Sequence, residues 1–366
     1  GGSAAQLLVA PAALGSAMIQ DAIADIGYGR YQYLILAFVG VGMAADGMEM
    51  FVMAILLEHL PASWDLSSSM KGMLGGSVFI GMAIGAPLFG AISDRYGRLR
   101  TLLITLAVAL TFGVVSALSS GFWSLLLLRA IFGLAIGGFV TVAQVLLLES
   151  SPSGRGGFSI AASMNLFALG AMFESLFAVY VLPTLGWSWL VVISALPLAM
   201  PLLAIPCLGL VESPTWLNSK GKVNEAHEAL TTIAHTNHAD ARVVPSAAEL
   251  TKAEFELAAR REAMSRPQAG GVEQLSGSQS ANLPSTGLCT FLSTGHGPRL
   301  GFTLFLLWAT VSFSYYGIVF ALPTWFDRHI PTEWEYWATF LTACMELPGN
   351  FLAGETADRL RRQAGL

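Results

Sequence analysis

Five ionisable residues lie inside stretches of this chain that are otherwise apolar: Asp46, Glu49, Arg129, Glu174 and Glu346. Asp46 and Glu49 are three positions apart, which on a helix puts them on one face. Burial favours the protonated form of a carboxyl group, whereas a neighbouring arginine favours the ionised form. An acid between those two influences can take up a proton and release it as helices shift. A charge at the centre of a bilayer costs roughly 2.5–3.5 kcal/mol even on the lenient insertion scale. Such groups are therefore expected to face a polar cavity or one another. Asp46, Glu49 and Arg129 are read as lining a pathway; for Glu174 and Glu346 that role and a purely structural ion pair both stay open. Trp308, Tyr315 and Tyr316 offer ring faces on which an organic molecule can stack, although aromatics in apolar helices serve more often as packing or interfacial anchors.

The strongest short motif is Gly90-Ala-Ile-Ser-Asp94-Arg95-Tyr-Gly97-Arg98-Leu-Arg100. Its glycines let helix ends approach closely, and Asp94 is suited to a helix N-terminus or an arginine. A near copy, Gly354-Glu-Thr-Ala-Asp358-Arg359-Leu-Arg361-Arg362, closes the chain. Two copies at matching places mark an internal repeat. Other features carry less. Gly81-x-x-x-Gly85 and Gly133-x-x-x-Gly137 are small-residue faces for close helix packing. His235 and His238 have metal-ligand spacing but no third ligand nearby, and are read as solvated loop. No nucleophile–base pair or metal cluster stands among the apolar runs, so neither an enzyme nor a cofactor is expected.

The elements that must position these residues follow from composition. Of 366 residues, 54% are hydrophobic and 12% charged, against about 25% charged in an ordinary globular domain. Residues 72–93, 101–128, 130–148, 175–211 and 300–326 contain no charge at all, and each is long enough to cross hydrocarbon as a helix. The sequence thus predicts an all-α, multi-pass membrane protein. Six spans are placed at Tyr33–Leu57, Gly72–Ile92, Thr101–Leu118, Phe122–Leu148, Phe158–Val181 and Trp187–Leu210, with two more near Leu300–Leu322 and Trp334–Gly354. A net charge of −5 without a basic block argues against nucleic acid as a partner. Cys207, Cys289 and Cys344 lie too far apart to imply a disulfide framework.

Basic residues give the orientation. With residues 1–32 and 218–299 on one side, and even without counting the central loop, that side carries eight Lys/Arg and the other two, Lys71 and Arg328. By the positive-inside rule the eight are cytoplasmic. The domain reading is therefore a cytoplasmic segment at 1–32, a six-helix bundle at 33–217, a cytoplasmic loop at 218–299 and two helices of a second bundle at 300–366. Within the loop, Gly221–Ala234 and Pro245–Met264 read as helices, and Ser265–Ser293, rich in Gly, Ser, Gln and Pro, as linker.

The Gly-x-x-x-Asp-Arg-x-Gly-Arg pattern resembles the loop signature of the major facilitator superfamily. Arg129-Ala-Ile-Phe-Gly133-Leu-Ala-Ile-Gly137-Gly138 is similar to that family's fourth-helix motif, and Glu149 with Pro152 and Arg155-Gly156 to the loop that follows. Glu212-Ser-Pro-Thr-Trp-Leu217 resembles a stretch of the sugar and organic-ion porters, with Thr215 where arginine is usual. Asp21–Arg30, Asp46-Gly-Met-Glu49, Phe173-Glu174, Leu185–Trp189 and Phe313–Gly317 look like segments of the synaptic vesicle 2-related branch. Arg361 stands where the second loop signature has glycine.

This resemblance implies a major facilitator-type bundle and secondary transport of a small, charged organic solute by alternating access, with protons as the candidate co-substrate and the lipid bilayer as the surroundings. The alternative is a transporter-like protein that binds a ligand or partner without moving it. Residues implied in the pathway are Asp46, Glu49, Arg129, Glu174, Tyr315, Tyr316 and Glu346. Those implied in the conformational motifs are Gly90, Asp94, Arg95, Gly97, Arg98, Glu149, Arg155, Glu212, Asp358 and Arg359. The expected location is the plasma membrane or an intracellular vesicle membrane.

Overall fold

The computed structural model describes residues 13–60, 62–253, 297–329, 332–350 and 352. The second loop signature, with Asp358 and Arg359, lies outside the described residues, as do residues 254–296, which contain the expected linker. Among the described residues the regular structure is helical. A first helix, α1 (Ala13–Ile26), precedes the long helices α2 (Arg30–His59), α3 (Ser68–Tyr96), α4 (Arg98–Ser116), α5 (Phe122–Ser150) and α6 (Gly156–Leu185). Then come α7 (Trp187–Ala195), α8 (Ala199–Leu208), α9 (Pro214–Ser219) and α10 (Val223–Thr236), and after the central loop α11 (Gly297–His329) and α12 (Thr332–Cys344).

Among the described residues, seven helical stretches are long and apolar enough to cross a membrane: α2 to α6, Trp187–Ala204, and Pro298–Leu322 within α11. Helix α12 has 13 residues, too few to span by itself, and after a turn at Met345 the chain is helical again over 346–350. The sixth span departs from expectation. A 3-10 turn at Leu196–Leu198 divides it into α7 and α8. Pro197 and Pro201 explain the break, since each lacks an N–H and crowds the carbonyl one turn earlier. The fifth span, conversely, continues through Pro183 to Leu185 and turns at Gly186, whose φ of 82° a residue with a Cβ would seldom adopt.

Two seams of small residues set the packing. Helix α3 lies along α5 and α2 along α6. A Cβ on Gly81 would stand 2.1 Å from the Ala130 carbonyl oxygen, and one on Gly133 would stand 2.2 Å from that of Val78. The second seam is built alike: Gly47 faces the Phe167 carbonyl and Gly170 the Ala44 carbonyl, where a Cβ would lie 2.1 and 1.8 Å away. Side chains are excluded at these points, so backbones touch and gain dispersion contacts that lipid cannot supply.

The N-terminal segment at 1–32 carries α1, whose Ile19, Ala22 and Ile23 are buried in the main core with Leu230 and Ile233 of α10. Helices α1, α9 and α10 thus form a collar beneath one end of the bundle. Asn237, just past α10, ties it together. Its Oδ1 accepts from the Tyr31 N–H at 2.8 Å, and its Nδ2 donates to Gln32 Oε1 at 2.8 Å and to the Gly27 carbonyl at 3.2 Å. Helix α12 packs on α6, and α11 contacts both α2 and α12.

Candidate functional site

A cavity of about 880 Å³ opens between the first bundle and α11 with the segment after α12. Asp46 lines it from α2, Phe79 and Met82 from α3, and Met164 and Phe167 from α6. From the other side come Trp308, Tyr315, Tyr316 and Phe320 of α11, and Glu346 and Asn350 beyond α12. The cavity runs from mid-helix residues such as Met43 to Leu57, Lys71 and Gly72, at the ends of α2 and α3 remote from the collar.

Its polar groups are few. The Tyr315 hydroxyl donates to Glu346 Oε1 at 2.8 Å. Asp46 is 3% exposed, and its Oδ1 has no hydrogen-bond partner among the described residues. An unpaired buried oxygen is costly. The apolar wall is aromatic: the Phe79 and Tyr316 rings are 4.6 Å apart, Phe79 and Phe320 5.9 Å, and Tyr315 and Tyr316 5.0 Å.

The other buried charges stand apart from the cavity. Arg129 Nη1 of α5 pairs with Glu49 Oε2 of α2, both side chains fully buried. The Arg129 guanidinium also lies 5.7 Å from the Phe132 ring centroid. Glu174 of α6, within electrostatic reach of both, accepts from Ser194 Oγ of α7 at 2.8 Å. Helix α4 contributes Gly113, where a Cβ would come within 3.5 Å of Glu49 Oε1. Five helices thus close around two carboxylates and one guanidinium, and Glu49 Oε1, Glu174 Oε1 and Arg129 Nε and Nη2 lack hydrogen-bond partners among the described residues. Of the seven residues expected in the pathway, Asp46, Tyr315, Tyr316 and Glu346 line the cavity; Glu49, Arg129 and Glu174 form this separate cluster.

At the collar end the loop signature makes a second charge network. Arg98 donates to Glu149 through Nη2 at 3.2 Å and Nε at 3.4 Å, to Ser93 Oγ at 3.0 Å, and to Asp94. Glu212 caps the start of α4: Oε1 accepts from the Arg98 and Leu99 N–H groups at 2.8 and 3.0 Å. Gly97 makes this possible, with φ 114° and a would-be Cβ 2.3 Å from Glu212 Oε2. Trp216 Nε1 donates to the Asp94 carbonyl at 2.9 Å, so α9 is clamped to the α3–α4 turn. Arg155, preceding α6, lies over the Tyr28 ring at 5.6 Å, and Arg95 over Tyr96 at 5.4 Å. At Gly90 a Cβ would meet nothing within 4 Å. Thr215, at the position usual for arginine, has a buried hydroxyl without a partner among the described residues.

Sequence reading did not find Ser194, Asn237 or Phe79. Phe79 had a signal: Gly72, Gly75, Gly76, Phe79 and Met82 line the cavity at helical spacing along α3. Ser194 and Asn237 had none, since each acquires its role from a partner distant in sequence.

Comparison with known proteins gives consistent results. The sequence profile described as Major Facilitator Superfamily matches residues 37–366. The chain is 38% identical over 222 residues to the synaptic vesicle 2-related protein of Xenopus laevis, an alignment covering 61% of this chain and 40% of that protein. It is 29% identical to organic cation/carnitine transporter 7 of Arabidopsis thaliana, over 95% of this chain and 72% of the other. Among solved structures, the E. coli xylose transporter XylE in a partially occluded inward-open conformation superposes with a TM-score of 0.65 at 18% identity, over 90% of this chain and 74% of that one.

Proposed function

Since the chain belongs to the Major Facilitator Superfamily, we propose that it is a secondary transporter, carrying a small organic solute across a membrane by alternating exposure of the cavity between two helical bundles. The observation that carries this reading is the cavity itself, with the unpartnered Asp46 carboxylate from one bundle and Glu346 from the other. A site shared between bundles is exposed to either side as they rock, the usual construction of secondary transporters. The name of the xylose transporter and that of the Arabidopsis organic cation/carnitine transporter support a solute of this size.

In this reading the collar is cytoplasmic, as the basic residues at 30, 95, 98, 100 and 155 favour. The cavity, reaching toward Leu57 and Lys71, then faces the opposite side of the membrane. The Arg98–Glu149–Asp94 network holds the cytoplasmic end closed in that state. The Glu49–Arg129–Glu174 cluster is the proton-responsive element: Glu49 pairs with Arg129 and Glu174 lies within electrostatic reach of both, so a proton on Glu49 would compete with the arginine for that carboxylate. The membrane is that of the cell surface or of an intracellular vesicle, as the resemblance to the synaptic vesicle 2-related protein favours.

The test is uptake into proteoliposomes carrying the full chain, with and without an inward proton gradient. Saturable accumulation that rises with the gradient supports the reading. Saturable binding without transmembrane movement in either condition overturns it, in favour of a transporter-like binding protein.

A further inference from the structure

The cavity wall is chemically one-sided. Two carboxyl groups line it, from opposite bundles, and both lie within electrostatic reach of the Tyr315 and Tyr316 hydroxyls. The arginine nearest in sequence logic, Arg129, is spent on Glu49 and does not line the cavity. Lys71 is a lining cation, but it stands in the first turn of α3, at the end of the cavity remote from Asp46's mid-helix position. Among the described residues, neutral hydrogen-bonding side chains other than the two tyrosines come from Trp308, Ser312 and Asn350, few against the several hydroxyl groups of a sugar.

Much of the remaining wall is ring surface. Phe79, Tyr316 and Phe320 form a continuous aromatic wall, and Phe167 and Trp308 also face the space. A π face attracts a cation, the more strongly once water is excluded. It also stacks on a flat ring. An anion meets the opposite: two negative groups and the negative faces of several rings.

The two carboxyls are not equivalent. Glu346 is already engaged by the Tyr315 hydroxyl. Asp46 lines the same space, and its buried Oδ1 has no hydrogen-bond partner among the described residues. From this geometry we infer that the cavity selects a flat aromatic organic cation, held by a charge-assisted contact with Asp46 and sandwiched against the Phe79–Tyr316–Phe320 wall, with Glu346 completing the negative field from the second bundle. The inference rests on the reading of this cavity as the solute site.

A charge series on one ring tests it: 1-methylnicotinamide (cation), nicotinamide (neutral) and nicotinate (anion), measured by equilibrium binding to the full chain in detergent and by uptake into proteoliposomes. The cation should bind about tenfold or more tightly than either of the others, the difference expected from one charge-assisted contact and a ring-face contact. Asp46→Asn should remove that preference, and Asp46→Glu should restore part of it, which a merely misfolded variant would not do. Tyr316→Leu should weaken the cation more than the neutral compound. Tightest binding by nicotinate or nicotinamide, binding by none of the three, or a cation preference that survives Asp46→Asn, would each overturn the inference. Uptake separates it from the transport reading: movement of nicotinate or nicotinamide alone leaves transport standing and removes the cation, whereas Asp46-dependent binding of 1-methylnicotinamide without movement does the reverse.

Discussion

Asp46 and Glu49, one helical turn apart on α2, belong to different compartments: Asp46 lines the cavity and has an unpartnered Oδ1, whereas Glu49 is fully buried against Arg129. Three positions along a helix are about 300° of rotation, so neighbours on a common face still diverge enough to meet different partners. The divergence dictates how the two acids respond to substitution.

Removing one partner of a buried pair leaves an uncompensated charge and costs about 3–5 kcal/mol. Arg129→Met alone should therefore unfold at a much lower temperature than the parent in detergent. Adding Glu49→Gln should restore most of the loss, while adding Asp46→Asn should restore none. Rescue by Asp46→Asn instead would contradict the pairing.

The loop signature should separate structural from cycle effects. The Asp94 side chain is 71% exposed, and an exposed pair with Arg98 contributes about 1 kcal/mol or less. Asp94→Asn should melt close to the parent yet reduce uptake, because its effect falls on the closing of the cytoplasmic end. Glu149→Gln, which takes the charge from Arg98's more enclosed partner, should lower both. Equal melting and equal uptake for Asp94→Asn would confine the residue to flanking the membrane.

Gly97→Ala meets two obstacles together, a positive φ and the Glu212 carboxylate 2.3 Å from the new Cβ. Backbone strain of this kind costs on the order of 1–3 kcal/mol. The variant should lose the Glu212 cap on α4 and show faster proteolysis within 212–222. Glu212→Ala, without the backbone strain, should be the milder of the two by thermal melting.

The α3–α5 seam should tolerate nothing larger than glycine. Gly85→Ala would place a Cβ 1.9 Å from the Leu134 carbonyl oxygen, and overpacking of this kind typically costs about 1–3 kcal/mol. Gly90→Ala, five residues on and facing open space, is the control and should melt like the parent.

Sidedness is tested by labelling. Single cysteines at Ser153, near the collar, and Ser69, at the opposite end of α3, should react from opposite faces of sealed vesicles, the native cysteines having been replaced. Reaction of both from one face would overturn the orientation.

What sequence made legible was whatever depends on local pattern. The spans are visible because charge is expelled over whole helices, and the Gly81/Gly85 and Gly133/Gly137 pairs because close packing needs small residues at four-residue spacing. The buried charges are equally visible, since polarity inside an apolar run is rare. Their grouping is not. Whether Arg129 takes Asp46 or Glu49 depends on the rotation of α2 against α5, and that rotation is set by contacts spread over both helices. The kink at Leu196–Leu198 was signalled by Pro197 and Pro201, yet an uninterrupted apolar run outweighed it. The collar was hidden because α1 is mildly apolar and packs with α9 and α10, some two hundred residues later in the chain.

That separation gives the collar a place in biosynthesis. Gly27 and Asn237 are 210 residues apart, so at about 5–20 residues per second the ribosome needs roughly 10–40 s to deliver the second after the first. Until then α1 lacks its contacts with α10, and α2 to α8 must all have been threaded before Asn237 can reach Tyr31 and Gln32. The latch therefore closes last, as a seal on a finished half. A chain arrested or misinserted anywhere among the six spans would keep α1 undocked, leaving an apolar helix on display to the machinery that clears faulty membrane proteins.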